Sequence, residues 1–120
     1  MDISKYKEFL YGNPEYKDLS FEDKVISVAN TMILNFDKAQ KEENERRKED
    51  IVFNNSCKAS EDSQGFVMKI QGVLYEFSYE EVKENLSKNI LGKIKTDEYS
   101  IERTIFSLLE EKRKSYVTKA

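Results

Sequence analysis

The chain reads as an α+β domain with the element order α-α-β-β-β-α-α, in which a three-stranded antiparallel meander is packed on one face by helices. Three observations predict this. Apolar residues recur at helical spacing before residue 40 and again after residue 79, and they alternate with period two between residues 66 and 77. The glycines and the single proline fall where these patterns break. A chain of 120 residues can bury a core without metal or disulfide staples, so residues 1–120 are read as one domain.

Ile3, Tyr6, Phe9 and Leu10 predict a first helix over about 3–11, closed by Gly12. Asn13-Pro14 then forces a turn, and Ser20 is placed to cap a second helix from residue 21. Its stripe of Val25, Ile26, Ala29, Met32, Ile33 and Phe36, widened by Val28 and Leu34, predicts deep burial. After Ala39 the stripe stops and residues 41–50 are polar throughout. Asp37 with Lys41, Glu42 with Arg46 and Glu43 with Arg47 stand four apart in the favourable order. Each such pair adds roughly 0.2 to 0.5 kcal/mol, which lets the helix run on without a core beneath it. Continued to residue 50, it would be about 45 Å long at about 1.5 Å per residue.

Strands are predicted over about 51–57, with Ile51, Phe53 and Cys57 on one face, over 66–70 and over 73–77. Taking Gln71-Gly72 as a two-residue turn pairs Ile70 with Val73, Met68 with Tyr75 and Phe66 with Phe77, so that one register serves both apolar faces. Glutamine is a poor occupant of a left-handed turn position, which leaves a slightly longer loop open. Ser78 and Glu81 form a capping box for a third helix over about 79–91, with Val82, Leu86, Ile90 and Leu91 inward and Gly92 at its end. A fourth helix over about 97–116 turns Ile101, Ile105, Leu108 and Leu109 inward, with Phe106 flanking.

Composition narrows the function. Aromatic residues at 12% are too many for a disordered chain, so the 36% charged residues belong to a surface. A net charge of −3 supplies no global field toward phosphate backbones or anionic lipid. No run of residues approaches membrane-spanning length, the start lacks the apolar stretch of a signal peptide, and Cys57 is a lone cysteine; together these give an expected cytoplasmic location. Only Arg46, Arg47, Arg103 and Arg113 are arginines among twenty basic residues, a usage expected of AT-rich coding and compatible with a bacterium, a phage or another mobile element.

Catalytic parts are few. The absence of histidine removes the commonest general base, the commonest metal ligand and every Ser-His or Cys-His pair. Cys57 falls on the inner face of a strand and is read as core. Gly12, Gly65, Gly72 and Gly92 each stand at a turn or cap, too far apart for a phosphate-cradling loop. Glu61-Asp62 reads as an exposed turn and Glu80-Glu81 as helix capping, without the alternating carboxylates of a calcium loop. No catalytic residue, metal, cofactor or small-molecule substrate is expected.

Three surfaces remain. The polar end of the second helix, with Lys41, Glu42, Glu45, Arg46, Lys48 and Glu49, is either a solvated helix end or a contact for a protein partner or a second subunit. An extended coiled coil is disfavoured because Glu43 and Arg46 occupy the seam. The outer sheet face mixes Val67, Lys69, Leu74 and Glu76, which makes Val67 and Leu74 alternative partner contacts. Lys112, Arg113, Lys114 and Tyr116, with Lys93 and Lys95 expected nearby, form an alternative nucleic-acid surface, against which stands the ordinary preference of cations for a helix C-terminus. The sequence therefore points to a small non-enzymatic protein-binding module: a regulator, inhibitor or assembly factor. A nucleic-acid-associated regulator and a structural subunit of a larger particle are the alternatives.

Overall fold

Ser20 stands in extended conformation with its hydroxyl oxygen accepting the Asp23 amide at 3.1 Å, and the helix it caps is the spine of the fold. The computed structural model describes residues 15–48 and 55–119, the last four by backbone alone. A 3₁₀ turn at Tyr16–Asp18 is followed by α1 (Phe21–Arg47), β1 (Ser56–Ala59), β2 (Gly65–Ile70), β3 (Val73–Ser78), α2 (Tyr79–Asn85) and α3 (Glu98–Lys119). Three α-helices and a three-stranded antiparallel sheet make the described residues α+β, as the sequence patterns predict. The first expected helix, 3–11, lies outside the described residues.

The sheet is a meander of order β1-β2-β3. Ile70 pairs with Val73, Met68 with Tyr75 and Phe66 with Phe77. Gln71 and Gly72 form the two-residue turn with φ of 52° and 83°, so the glutamine does accept the left-handed conformation; its amide donates to Asn55 Oδ1 at 2.8 Å. On β1, Cys57 pairs with Met68 and Ala59 with Phe66, which carries the strand two residues past its expected end at 57; residues 51–54 lie outside the described residues. Cys57, Phe66, Met68, Tyr75 and Phe77 are buried on one face, with the Phe66 and Phe77 rings stacked at 4.9 Å.

Helices cover that face. α1 packs against β1, β2 and α3, and α2 packs against α3, β2 and β3. Because it is enclosed on several sides, α1 is buried at every position from Val25 to Ile33, including Ser27, Asn30 and Thr31, polar residues that a one-sided stripe leaves out. Burial stops at Ile33, with Phe36 half-buried and Ala39 exposed, so the apolar stripe ends earlier than its expected limit. From α2 and α3, Val82, Leu86, Ile101, Ile105, Leu108 and Leu109 complete the core.

Two helix ends differ from expectation. α1 finishes at Arg47 and not at 50, because Lys48 turns left-handed (φ 56°, ψ 39°). α2 finishes at Asn85, six residues short of the expected 91: Leu86 is extended, and the chain enters a hairpin-like loop bridged between Lys88 and Ile94. Asn89 organises this loop. Its side-chain oxygen accepts the amides of Leu91 and Lys93 at 2.9 and 3.1 Å, and its own amide donates to the Lys93 carbonyl at 2.7 Å. α3 then starts behind Asp97, whose carboxylate accepts the Ser100 amide and hydroxyl.

The 3₁₀ turn has no counterpart in the sequence reading. It buries Tyr16, whose hydroxyl donates to the Thr96 carbonyl at 2.8 Å and so ties the entrance of α1 to the entrance of α3.

Candidate interaction surface

The titratable groups near the core are held away from neutrality. Burial pushes the Cys57 thiol up to about 12. The Tyr79 phenol also goes up to about 12, by burial first and then by the negative charges around it, and Tyr16 is raised by burial with Glu98 and Asp97 adding to it. Glu43 is lowered chiefly by its hydrogen bonds from Arg46, and Asp62 by the Gln64 amide and the Ser60 hydroxyl. For Asp97, burial works upward, but the hydrogen bonds from Ser100 outweigh it and the carboxyl ends up lowered. None of these shifts moves a group toward the range a general base needs. Among the described residues no group of His, Cys, Asp and Glu could hold a metal ion, and no helix is long and apolar enough to cross a membrane.

On the end of α1, Lys41, Glu42, Glu45, Arg46 and Lys48 are all exposed, and Glu49 lies outside the described residues. Of the three expected ion pairs, Glu43 with Arg47 forms, at 2.6 Å. Arg46 reaches back three residues to Glu43, also at 2.6 Å, instead of four to Glu42, and Asp37 accepts from Asn55 Nδ2 at 2.8 Å. This surface is therefore laced to itself, with Glu43 serving both arginines.

The basic residues of the alternative nucleic-acid surface come from two elements. Lys93 and Lys95 belong to the loop before α3, where Lys95 lines a cleft with Arg103 and Glu111, and Lys112, Arg113 and Lys114 follow on the helix itself. Lys112 is engaged with Glu81 Oε1 at 2.9 Å and sits 5.1 Å from the centre of the Phe77 ring. Arg113 has Glu110 at 3.9 Å, Lys114 is exposed, and Tyr116 is carried on the following turn of the same helix.

On the outer sheet face, the register sets Lys58, Val67 and Glu76 in one row across the three strands, with Leu74 diagonal to Val67. Val67 is half-buried and Leu74 is 55% exposed. With the β1–β2 turn they line an open groove of about 650 Å³, edged by Glu61, Asp62 and Glu76.

The loop after α2 is the surface that sequence reasoning missed. Ile90 is 100% exposed and Leu91 77% exposed at its apex, where a continued helix would have turned them inward. Lys88, Lys93 and Lys95 belong to the same loop and are all exposed. The available signal was the clustering of Ser87, Asn89 and Gly92, turn formers that compete with the last turns of a helix.

No protein-family model, curated protein or solved structure matches the chain.

Proposed function

We propose that the chain is a non-catalytic protein-binding module, a regulator, inhibitor or assembly factor that works through an exposed apolar contact. The observation that carries this is the loop at 87–95, where backbone and Asn89 hydrogen bonds hold Ile90 and Leu91 out in water. Exposed apolar area costs about 25 cal/mol per Å² relative to burial, and an ordered loop that keeps two aliphatic side chains outside is suited to covering them on association. The buried Cys57 thiol and half-buried Tyr79 phenol, held away from neutral pH, favour a binding role over acid–base chemistry. The engagement of Lys112 by Glu81 weakens the nucleic-acid alternative.

The test is affinity capture from host lysate with the tagged chain and with its Ile90→Ser/Leu91→Ser variant. Both positions are exposed, so the variant keeps its fold by circular dichroism. Proteins retained by the parent, a second copy included, should be lost from the variant. A parent that retains no protein contradicts the proposal, as does a variant that retains the same set.

A further inference from the structure

We propose that Ile90 and Leu91 of one molecule seat in the outer-sheet groove of a second copy of this chain, an inference that rests on the loop being a protein-binding surface. The two surfaces match in chemistry and in sign. At the loop apex two branched aliphatic side chains stand 100% and 77% exposed, with the exposed Lys88 and Lys93 within two residues of them along the loop and Lys95 at its base beside Ser87. The groove presents Val67 and Leu74 within about 650 Å³, edged by the carboxylates of Glu61, Asp62 and Glu76 against the ammonium of Lys58, with Lys69 opposite Leu74 on the same face. Lys95 lies close enough to Asp97 to favour that carboxylate. The complementarity therefore falls chiefly on Lys88 and Lys93, which make no ion pair among the described residues. Asp62 is held ionised by its hydrogen bonds from Ser60 and Gln64, so the groove keeps its negative edge.

A groove suits this loop better than a lipid surface does. A bilayer is a plane that meets whatever lies beside the apex, and the flanking chain carries Glu84, Asp97 and Glu98 on a molecule of net charge −3. The groove meets the apex alone, and screening beyond about 8 Å at physiological salt leaves Lys88 and Lys93 as the nearest charges. Two aliphatic residues also lack the aromatic belt typical of membrane interfaces. Loop and groove lie on different elements, so each copy can offer both.

The contact is small, so its association is weak and concentration-dependent. Sedimentation velocity and light scattering from about 10 µM to about 1 mM should show the average mass rising above the 14.1 kDa of one chain. Ile90→Ser/Leu91→Ser should abolish the rise. Lys88→Glu/Lys93→Glu should leave the chain monomeric, as should Glu61→Lys/Glu76→Lys, and an equimolar mixture of these two should associate at least about tenfold more tightly than either alone. All the substituted side chains are exposed, which keeps loss of association distinct from loss of fold. A parent that stays monomeric throughout, or a mixture that fails to associate, overturns the proposal. If the parent stays monomeric yet captures another protein through Ile90 and Leu91, the second-copy proposal fails and the protein-binding reading stands. Cosedimentation with phosphatidylserine vesicles in place of self-association overturns it in favour of lipid.

Discussion

Lys112 Nζ lies 2.9 Å from Glu81 Oε1, an ion pair that joins the last third of α3 to the first turn of α2. The same glutamate receives the Ser78 amide on its other oxygen, so one side chain both closes the capping box and anchors the neighbouring helix. Each partner is less than a third exposed. A double-mutant cycle with Lys112→Met and Glu81→Gln, read by urea unfolding, should give a coupling of about 0.5 to 1 kcal/mol, with the total cost of Lys112→Met near 1 kcal/mol.

Gly65 opens β2 opposite Ser78 of β3. A Cβ there would meet the Phe77 carbonyl oxygen at 1.8 Å, and no rotamer change relieves a clash with backbone. Gly65→Ala should therefore cost about 2 to 4 kcal/mol and lower the thermal midpoint accordingly.

Cys57 sets an alkaline limit on stability. Its folded thiol titrates near 12 against an ordinary value of 9.0. The unfolded chain thus loses this proton first as pH rises. Stability from this group is complete below about pH 9 and declines as pH climbs toward 12. The urea midpoint should be flat between about pH 7 and about pH 8 and should fall above about pH 9, with Cys57→Ala removing the first part of that fall. A thiol reagent should leave the native protein unmodified at about pH 8 and label it on unfolding.

The Asn30 carboxamide is 3% exposed on α1, and its Nδ2 makes no hydrogen bond among the described residues. Replacing it by a leucine of similar size removes an unmet donor from the core. Asn30→Leu should raise stability by about 1 kcal/mol in chemical denaturation.

Gln71 holds φ at 52° in the two-residue turn, a conformation that asparagine adopts more readily. Gln71→Asn should raise stability by about 0.5 kcal/mol, measured by the same unfolding assay.

Most of the core was legible because the signals that specify it are local and repeated. Phe66, Met68, Tyr75 and Phe77 alternate, Ser78 and Glu81 mark a helix start, and Ile101 to Leu109 keep a helical period. Less legible were features decided by single side chains or by distant packing. Leu86, Ile90 and Leu91 continue a helical spacing from Val82, but Asn89 bonds its own loop more strongly than the helix would, and the last two residues turn outward. Burial of Ser27, Asn30 and Thr31 follows from enclosure of α1 by the sheet and α3, which no stripe on one helix can reveal. Tyr16 reaches the core through a bond to Thr96, eighty residues away. Of the expected surfaces, Val67 and Leu74 share one groove, whereas Lys112 is drawn to Glu81, a pairing between distant elements that no local pattern reveals.

Whether the chain works through its 87–95 loop is tested most directly by photocrosslinking in the host cell, with a photoreactive phenylalanine analogue placed at Leu91 and, separately, at Lys41. The proposed function predicts a strong adduct above the 14.1 kDa chain from position 91, to a second copy or to another protein, and a weaker one or none from position 41. An adduct from position 41 with none from position 91 would contradict it.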